Sequence, residues 1–287
     1  MTMRFRCQRA FTLIEMVVVL AVSAVLVAAV AMFLRWPFQS YLAVERRAEM
    51  TDIADTALRR IGRDLHVALP NSVRVLAGAT TCMEMLPTKT GGRYRSAVDS
   101  AGNGDILDFT TADASFDMFG LLPTLPGQAP AAGDLVVVYN LGAAAAGADA
   151  YSGNNTNIIA GTGAGSLANE SKITLGGAVK QFPFASPGSR FQVISTPVSY
   201  VCTPGAVNAS GNGTGTLTRV SGYAINAAQS CTPGGTSALL ASNVTACNFS
   251  YSPGTTMSNG LVSTQLEITQ SNETVSLYDE VHISNAP

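Results

Sequence analysis

The sequence contains few of the side chains on which most enzyme sites depend. Of its 287 residues, two are histidine, five are cysteine and only 13% are charged. So little histidine and cysteine leaves hardly any material for a histidine-based catalytic centre or a zinc cluster. The formal charge of −2 excludes a strongly basic protein that binds nucleic acid over a broad surface. Composition therefore disfavours an ordinary cytosolic enzyme and a general nucleic-acid binder.

The sequence motifs of common catalytic families are missing as well. The chain has no G-x-S-x-G elbow, no H-E-x-x-H helix, no P-loop and no G-x-G-x-x-G turn before a helix. His66 and His282 are isolated in the sequence, which favours surface or packing roles over catalysis. We therefore expect no enzymatic activity and no cofactor.

Apolar residues are concentrated near the N-terminus. Between Met16 and Leu34 no residue is charged, and Ser23 is the only polar one. As a helix, residues 11–34 would be about 36 Å long, which is enough to cross a bilayer. The basic residues before this segment, with no acid near them, predict a cytoplasmic N-terminus: Arg4, Arg6 and Arg9.

A secretory signal peptide is the alternative explanation for a basic stretch followed by an apolar one. The apolar run is longer than a usual signal-peptide core, however, and no A-x-A site ends it. Glu15 is the larger anomaly, because an unpaired acid inside a membrane segment is costly and is by default a functional candidate. A glutamate that stays hydrated near the lipid headgroups is the plainer alternative for this residue.

Residues 9–15, RAFTLIE, followed by the apolar helix, resemble the class III signal of type IV pilins and of type II secretion pseudopilins. The resemblance implies that prepilin peptidase cuts between Ala10 and Phe11 and that the new terminal Phe11 is N-methylated. It also implies that Glu15 is the assembly glutamate, whose carboxylate pairs with the N-terminal amine of a neighbouring subunit. Ala10 departs from the family pattern, which usually has glycine before the cut.

Further stretches resemble minor pilins of the mannose-sensitive haemagglutinin (MSHA) type of pilus. The similar segments are 40–49, 57–64, 68–74, 186–193, 198–202 and 281–285. The implied partners are prepilin peptidase, other major and minor pilins, and the pilus assembly platform in the bacterial inner membrane. The implied location is a single-pass inner-membrane protein with a periplasmic head that later enters the fibre.

Residues 37–69 predict an amphipathic continuation of the helix. Pro37 predicts a kink or a short melted stretch, and Pro70 predicts the end of the helix. Because its apolar residues recur at helical spacing, this part should pack on a β-sheet: Met50, Ile53, Ala54, Ala57, Leu58, Ile61, Leu65 and Leu69.

Residues 70–287 predict a β-rich head with long loops. Alternating apolar and polar residues predict antiparallel strands, most clearly over residues 246–251, 262–268 and 275–283. Pro197 predicts an edge or corner, and residues 142–165 predict a surface loop. The fold class is therefore α+β, a pilin-like lollipop with a leader (1–10), a transmembrane and assembly helix (11–36), an amphipathic helix (37–69) and a head (70–287).

Removal of the leader leaves four cysteines, an even number that predicts disulfides in an extracytoplasmic head: Cys82, Cys202, Cys231 and Cys247. Three pairings remain open, and buried free thiols are the alternative. A separate group of oxygen-bearing side chains resembles part of a calcium loop but lacks its last glutamate, so a plain acidic turn is favoured and no metal is expected: Asp99, Asn103, Asp105 and Asp108.

Taken together, these patterns predict a structural pilus subunit rather than an enzyme. A minor pseudopilin of a type II secretion system is one alternative, because it shares every N-terminal feature. A membrane-tethered periplasmic binding protein or enzyme is a second alternative. Such a protein would keep its leader and would need a pocket of converging polar groups, for which the sequence gives no sign.

Overall fold

The structure is a computed structural model that describes residues 11–76, 78–254 and 259–287. The predicted leader, including Ala10, lies outside the described residues. The chain divides into two compact units, residues 1–49 and 50–287, and each is described by itself.

A single long helix, α1 (Leu13–His66), accounts for all of the described helical residues. Its first part is apolar on every side, and the side chains of residues 13–34 are all exposed. Of the two alternatives expected at Pro37, a kink or a short melted stretch, the melted stretch is wrong, because the helix continues through this position without a break. By length and composition, α1 is the one helix of the described chain that is able to cross a membrane.

The helix ends at His66, three residues before the predicted end at Leu69. Directly after His66, the amides of Val67 and Ala68 still donate to the carbonyls three residues earlier (3.3 and 3.1 Å), and the backbone then turns to sheet-like contacts. The amide of Leu69 donates to the carbonyl of Leu86 (2.7 Å), and the amide of Thr88 donates to the carbonyl of Val67 (2.7 Å). These bonds tie the helix end to the chain that follows the second strand, and the Leu69 amide is no longer available for an intrahelical hydrogen bond.

A seven-stranded antiparallel sheet forms one half of the second unit. Its strands, in spatial order, are β1 (Arg74–Leu76), β2 (Ala79–Met85), β9 (Val198–Thr203), β10 (Gly215–Ser221), β11 (Thr236–Ser252), β12 (Asn259–Gln270) and β13 (Glu273–Ser284). Along β12 and β13, buried or half-buried residues alternate with more exposed ones, as the sequence predicts for a sheet with one covered face.

The covered face of the sheet packs against residues 50–65 of α1, which confirms the predicted contact. The helix contributes a stripe whose members are at most 4% exposed: Met50, Ala54, Ala57, Leu58, Ile61 and Leu65. One polar group fixes the helix within this core. The Asp64 carboxylate accepts hydrogen bonds from Arg219 Nε (2.7 Å) and the Tyr200 hydroxyl (2.8 Å). Burial and the nearby carboxylate raise the pKa of Tyr200, so this hydroxyl remains a donor.

A closed six-stranded barrel is inserted between β2 and β9. Its strands, in order around the barrel, are β3 (Thr88–Tyr94), β4 (Ser115–Phe119), β7 (Glu170–Gly176), β6 (Thr156–Ala164), β5 (Leu135–Val138) and β8 (Arg190–Ile194). Large side chains fill its interior, among them Tyr94, Phe116, Phe182 and Phe191. A Cβ at Gly92 would lie 2.9 Å from the end of the Met118 side chain and 3.2 Å from the Phe191 ring, so a larger residue there would require these side chains to shift.

The barrel corrects one of the sequence predictions and bears out another. Residues 142–165 are only partly a surface loop, because Thr156–Ala164 is a nine-residue barrel strand. Pro197 lies at a corner, as predicted, where the chain passes from β8 of the barrel to β9 of the sheet. Neither strand is an edge, however, because β8 pairs with β3 and β5 while β9 pairs with β2 and β10.

Two disulfides fix the head, and they select one of the three open pairings. Cys202 on β9 is bonded to Cys247 on β11, and these two strands flank β10. Cys82 on β2 is bonded to Cys231, which lies in the segment that joins β10 to β11. The second bond closes a separation of 149 residues, which includes the whole barrel.

Candidate functional site

The predicted assembly site lies at the first turn of α1. Phe11 precedes the helix and is 78% exposed. Thr12 and Glu15 form a reciprocal cap: the Glu15 carboxylate accepts from the Thr12 amide (3.0 Å) and hydroxyl (2.9 Å), and the Thr12 hydroxyl accepts from the Glu15 amide (3.4 Å). This is a capping box, in which a threonine and a glutamate three residues apart satisfy otherwise unpaired amides.

The capping box survives the predicted cleavage. A cut before Phe11 leaves the Thr12 amide and hydroxyl in the chain, so Glu15 keeps both partners. Sequence reasoning assigned Glu15 to assembly alone and missed this local role, although the spacing T-x-x-E is itself a signal of a helix start. Glu15 therefore has an acceptor role within its own chain in addition to the intermolecular pairing that the resemblance implies.

The surface that follows Glu15 is apolar and uncovered. An 18-residue window of α1 has a mean hydropathy of 3.0, and none of it is buried within the chain. A helical segment of this length and composition needs a lipid or protein environment, because the exposure of so much apolar surface to water is unfavourable. The segment therefore fits a membrane anchor or a helix–helix assembly surface.

The four oxygen-bearing residues of the weak calcium candidate support their own loops. Asp99 accepts from the amides of Asn103 (2.8 Å) and Ala101 (2.9 Å), which lowers the pKa of Asp99. Asp108 likewise accepts from the Thr110 amide (2.7 Å), which lowers its pKa. The carboxylate of Asp105 contacts Lys172 Nζ (3.0 Å).

No ligand set for a metal is formed by these residues. Among the described side chains, no group of three or more histidines, cysteines, aspartates or glutamates is arranged to hold a metal ion. The acidic segment forms a set of turns, which are stabilised by hydrogen bonds from neighbouring amides and by Lys172.

His66 at the end of α1 and His282 on β13 line the same open groove, together with Arg59 and Arg63 of the helix. Sequence reasoning treated each histidine alone and had no signal for this proximity, because it depends on how β13 packs beside α1. The groove is a second polar region of the head, distinct from the N-terminal site.

Comparison with known proteins identifies the N-terminal signal. Residues 5–31 match the family model described as the prokaryotic N-terminal methylation motif. No curated protein and no solved structure matches the chain. The matched motif supports a type IV pilin or pseudopilin family protein, and it implies processing by prepilin peptidase and association with pilin assembly machinery in a membrane.

Proposed function

We propose that the chain is a minor pilin, a structural and non-enzymatic subunit in the biogenesis of a type IV pilus of the MSHA type, most like the protein called MshO. Prepilin peptidase cuts between Ala10 and Phe11, Phe11 is N-methylated, and the mature chain enters the fibre through its apolar helix. The N-terminal methylation motif over residues 5–31, followed by an uncovered apolar helix, is the observation that carries this proposal.

In this proposal Glu15 works as a charge. An isolated carboxylate inside a bilayer costs about 2.5–3.5 kcal/mol on insertion scales, so a neighbouring N-terminal amine lowers the free energy of the assembled state. Such pairing would fix the axial position of the new subunit. The large head, whose barrel adds about a hundred residues to the sheet, favours a place at the tip, because bulky heads crowd a helical array.

The location follows from the same signal. The N-terminus would lie in the cytoplasm and the head in the periplasm, where its two disulfides are stable. Partners would be the major and other minor pilins and the inner-membrane assembly platform, without nucleic acid. The head from Val75 onward has 7 basic and 13 acidic residues, which opposes general DNA binding.

Two variants separate the charge of Glu15 from its capping role. Glu15→Gln keeps an acceptor for the Thr12 amide but removes the charge, whereas Thr12→Val removes the capping hydroxyl and keeps the charge. Each variant is expressed in a strain lacking the wild-type gene, and its amount in sheared surface fibres is compared with its amount in membranes. We expect Glu15→Gln to be lost from fibres and Thr12→Val to enter them.

The same deletion strain separates the candidate functions. Loss of surface pili with normal protein secretion supports the pilus function. Loss of exoprotein secretion with normal pili would assign the chain to a type II secretion pseudopilus instead. A chain that keeps its leader and affects neither process would support a tethered binding protein or enzyme.

A further inference from the structure

The two disulfides of the head are interleaved along the chain. The four cysteines follow one another as Cys82, Cys202, Cys231 and Cys247, and the structure joins the first to the third and the second to the fourth. Bonds between neighbours in sequence would instead be Cys82–Cys202 and Cys231–Cys247. We call these two bonds the consecutive set, which is one of the two non-native pairings of the four cysteines.

Cys82 and Cys202 lie on adjacent strands but on opposite faces of the sheet. Cys82 on β2 is directly opposite Val201 on β9, so these two side chains share one face. Successive side chains of a strand alternate between the faces, so Cys202 belongs to the other face. This is the face that α1 covers, because Cys202 belongs to the core that the helix and the sheet form. A Cys82–Cys202 bond is therefore incompatible with the native pairing of β2 with β9.

The other consecutive pair is separated in the same way. Cys247 on β11 is opposite Leu266, which belongs to the core on the α1 side. Cys231 is bonded to Cys82 and therefore lies at the outer face, by which we mean the face of the sheet that is turned away from α1. Neither bond of the consecutive set can persist in the native head.

Hydrogen bonds hold the segment around Cys231 in its place. This segment joins β10 to β11. The Tyr223 hydroxyl donates to Glu84 Oε1 on β2 (3.0 Å), and Gln229 Nε2 donates to the carbonyl of Arg74 on β1 (3.3 Å). Cys231 therefore cannot reach the α1 side of the sheet unless the segment is released from the first two strands.

Loop closure favours the consecutive set during folding. Cys231 and Cys247 are about 16 residues apart, which is the shortest separation among the four cysteines, and a shorter loop costs less entropy to close. Once these two are joined, Cys82 and Cys202 are the thiols that remain in the head. The native bonds close longer separations, of 149 and 45 residues.

The order of synthesis favours the same set. At about 5–20 residues per second, Cys231 follows Cys202 by about 1.5–6 s, and until then Cys82 and Cys202 are the only head cysteines that have been made. All strands of the barrel lie between these two cysteines, and its pair of Thr88 with Ile194 leads directly into the pairing of β2 with β9. The barrel therefore brings the first two thiols close together before β10 and β11 exist.

We propose that the head first forms the consecutive set and reaches its native pairing through a thiol–disulfide isomerase, an enzyme that carries a reactive cysteine thiolate. The consecutive set leaves no free thiol in the head, so the rearrangement needs a thiolate from outside. In the cell the proposal rests on the proposed periplasmic location, because disulfides form in an oxidising compartment. Refolding of the purified chain does not depend on that location.

The steps conserve atoms and electrons. As the consecutive set forms, each bond releases two protons and two electrons, and the electrons reduce the disulfide of an oxidising enzyme to a dithiol. The isomerase thiolate then attacks Cys82 Sγ, which forms a mixed disulfide and releases the Cys202 thiolate. This thiolate attacks Cys247 Sγ, forms one native bond and releases the Cys231 thiolate. Finally, Cys231 attacks Cys82 Sγ in the mixed disulfide, forms the other native bond and regenerates the isomerase thiolate.

The test follows reoxidation of the purified full-length chain, with Cys7→Ser in every sample so that the leader carries no thiol. The chain is reduced in urea and diluted into detergent micelles in a glutathione buffer. A bacterial thiol–disulfide isomerase is present, either active or alkylated at its active-site cysteines. Samples are quenched with acid at intervals, and disulfide-linked peptides are identified by mass spectrometry. We expect the consecutive bonds to appear first and the native set to form about tenfold faster with the active enzyme.

Two variants with two head cysteines each test the geometry. Cys231→Ala with Cys247→Ala leaves only the non-native Cys82–Cys202 bond to form. The control, Cys82→Ala with Cys231→Ala, leaves only the native Cys202–Cys247 bond. Each variant is oxidised in urea, refolded and compared with its own reduced form in urea unfolding. We expect oxidation to lower the urea midpoint of the first variant and to raise that of the control.

A bacterial strain that lacks its periplasmic thiol–disulfide isomerase provides the test in the cell. The full chain is made in this strain and in its parent, thiols are blocked at lysis, and the linked peptides are compared. We expect the native set to be about tenfold less abundant without the isomerase. A head that stays reduced in both strains would contradict the periplasmic location, and the reoxidation experiment would then decide the role of the isomerase.

Two results would overturn the proposal. One is that the native bonds form first and that the active isomerase gives no acceleration over the alkylated enzyme. The other is that oxidation stabilises the Cys82–Cys202 variant, because the two thiols would then meet within the native fold. Should the reduced form of this variant be unfolded as well, the order of bond formation in the head with four cysteines decides alone.

Discussion

The N-terminal segment and the head differ in how their apolar side chains are covered. In residues 13–34, apolar side chains surround the helix and all are exposed, Leu13 at 83% and Phe33 at 82%. In residues 50–65 of the same helix, apolar side chains form one stripe, and the sheet buries them almost completely. The head therefore folds around a core of its own, whereas the N-terminal segment depends on a membrane or on other helices.

Variants in the two regions should therefore affect different properties. A change in the head should alter its stability and leave membrane association intact. A change in the N-terminal segment should alter membrane association or assembly and leave the head folded.

The largest effect is expected from a charge in the buried stripe. Ile61→Asp places a carboxylate in the core and should cost about 5 kcal/mol or more, enough to unfold the head. Val25→Asp is the matched change in the exposed segment. It should leave the head's thermal midpoint unchanged and reduce the fraction of chain that resists alkaline extraction from membranes. Equal loss of head stability in both variants would contradict the separation.

Removal of a disulfide should have the next largest effect on the stability of the head. On the chain-entropy model, the loop of 149 residues closed by Cys82–Cys231 is worth about 5 kcal/mol, and the loop of 45 closed by Cys202–Cys247 about 4 kcal/mol. Paired alanine substitutions at each bridge, compared in urea unfolding, should show the larger loss at Cys82–Cys231. Membrane association should be unchanged in both, and a change there would argue against an independent head.

Breaking a buried ion pair in the barrel should have a comparable or smaller effect. Arg95 bonds to Glu170, and both side chains are less than 10% exposed. Glu170→Gln should destabilise the head more than the loss of an exposed ion pair does, because it removes the carboxylate that is bonded to a largely buried guanidinium. Asp55→Asn is the control at an exposed pair, Arg59–Asp55 (2.7 Å), and should cost less than about 1 kcal/mol. Thermal unfolding of both variants measures the contrast.

The smallest effect is expected for the stability of the head at low pH. Burial alone would raise the pKa of Asp117, but hydrogen bonds from Ser166 and Asp105 and the nearby Lys172 lower it overall. A carboxyl with a lowered folded-state pKa stabilises the fold above its unfolded pKa, and this contribution disappears as pH falls through the folded value. The head should therefore lose stability below about pH 4.

Asp117→Asn provides the control for this dependence. The variant should be about 1–3 kcal/mol less stable at pH 7, and its urea midpoint should fall less steeply on acidification. An unchanged slope would show that another group titrates in place of Asp117.

Sequence patterns predicted the regions where one periodicity dominates. In three regions the local residue pattern is enough to predict the element. They are the apolar run before Leu34, the helical stripe from Met50 to Leu65 and the alternation in β11–β13. Two barrel strands, β5 and β8, are also predicted by their apolar residues, but the closed barrel was missed because other strands of it lack this alternation. β6, TNIIAGTGA, has mostly small residues in its second half, and β3, TKTGGRY, has two adjacent glycines.

The candidate site divides in the same way. The methylation signal is a short contiguous motif, so the sequence alone is enough to find it. The disulfide pairing depends on the strand order, and the groove that His66 and His282 share depends on the packing of β13 beside α1. Neither has a local signal. The capping box of Thr12 and Glu15 does have a local signal, the T-x-x-E spacing.

The most direct test of the account is the N-terminal residue and intact mass of the chain purified from native membranes. We expect a chain that begins at N-methylated Phe11, with the leader removed and both disulfides intact. A chain that begins at Met1 would contradict it, because an uncleaved leader prevents the N-terminal amine from reaching the position where Glu15 of a neighbour would meet it.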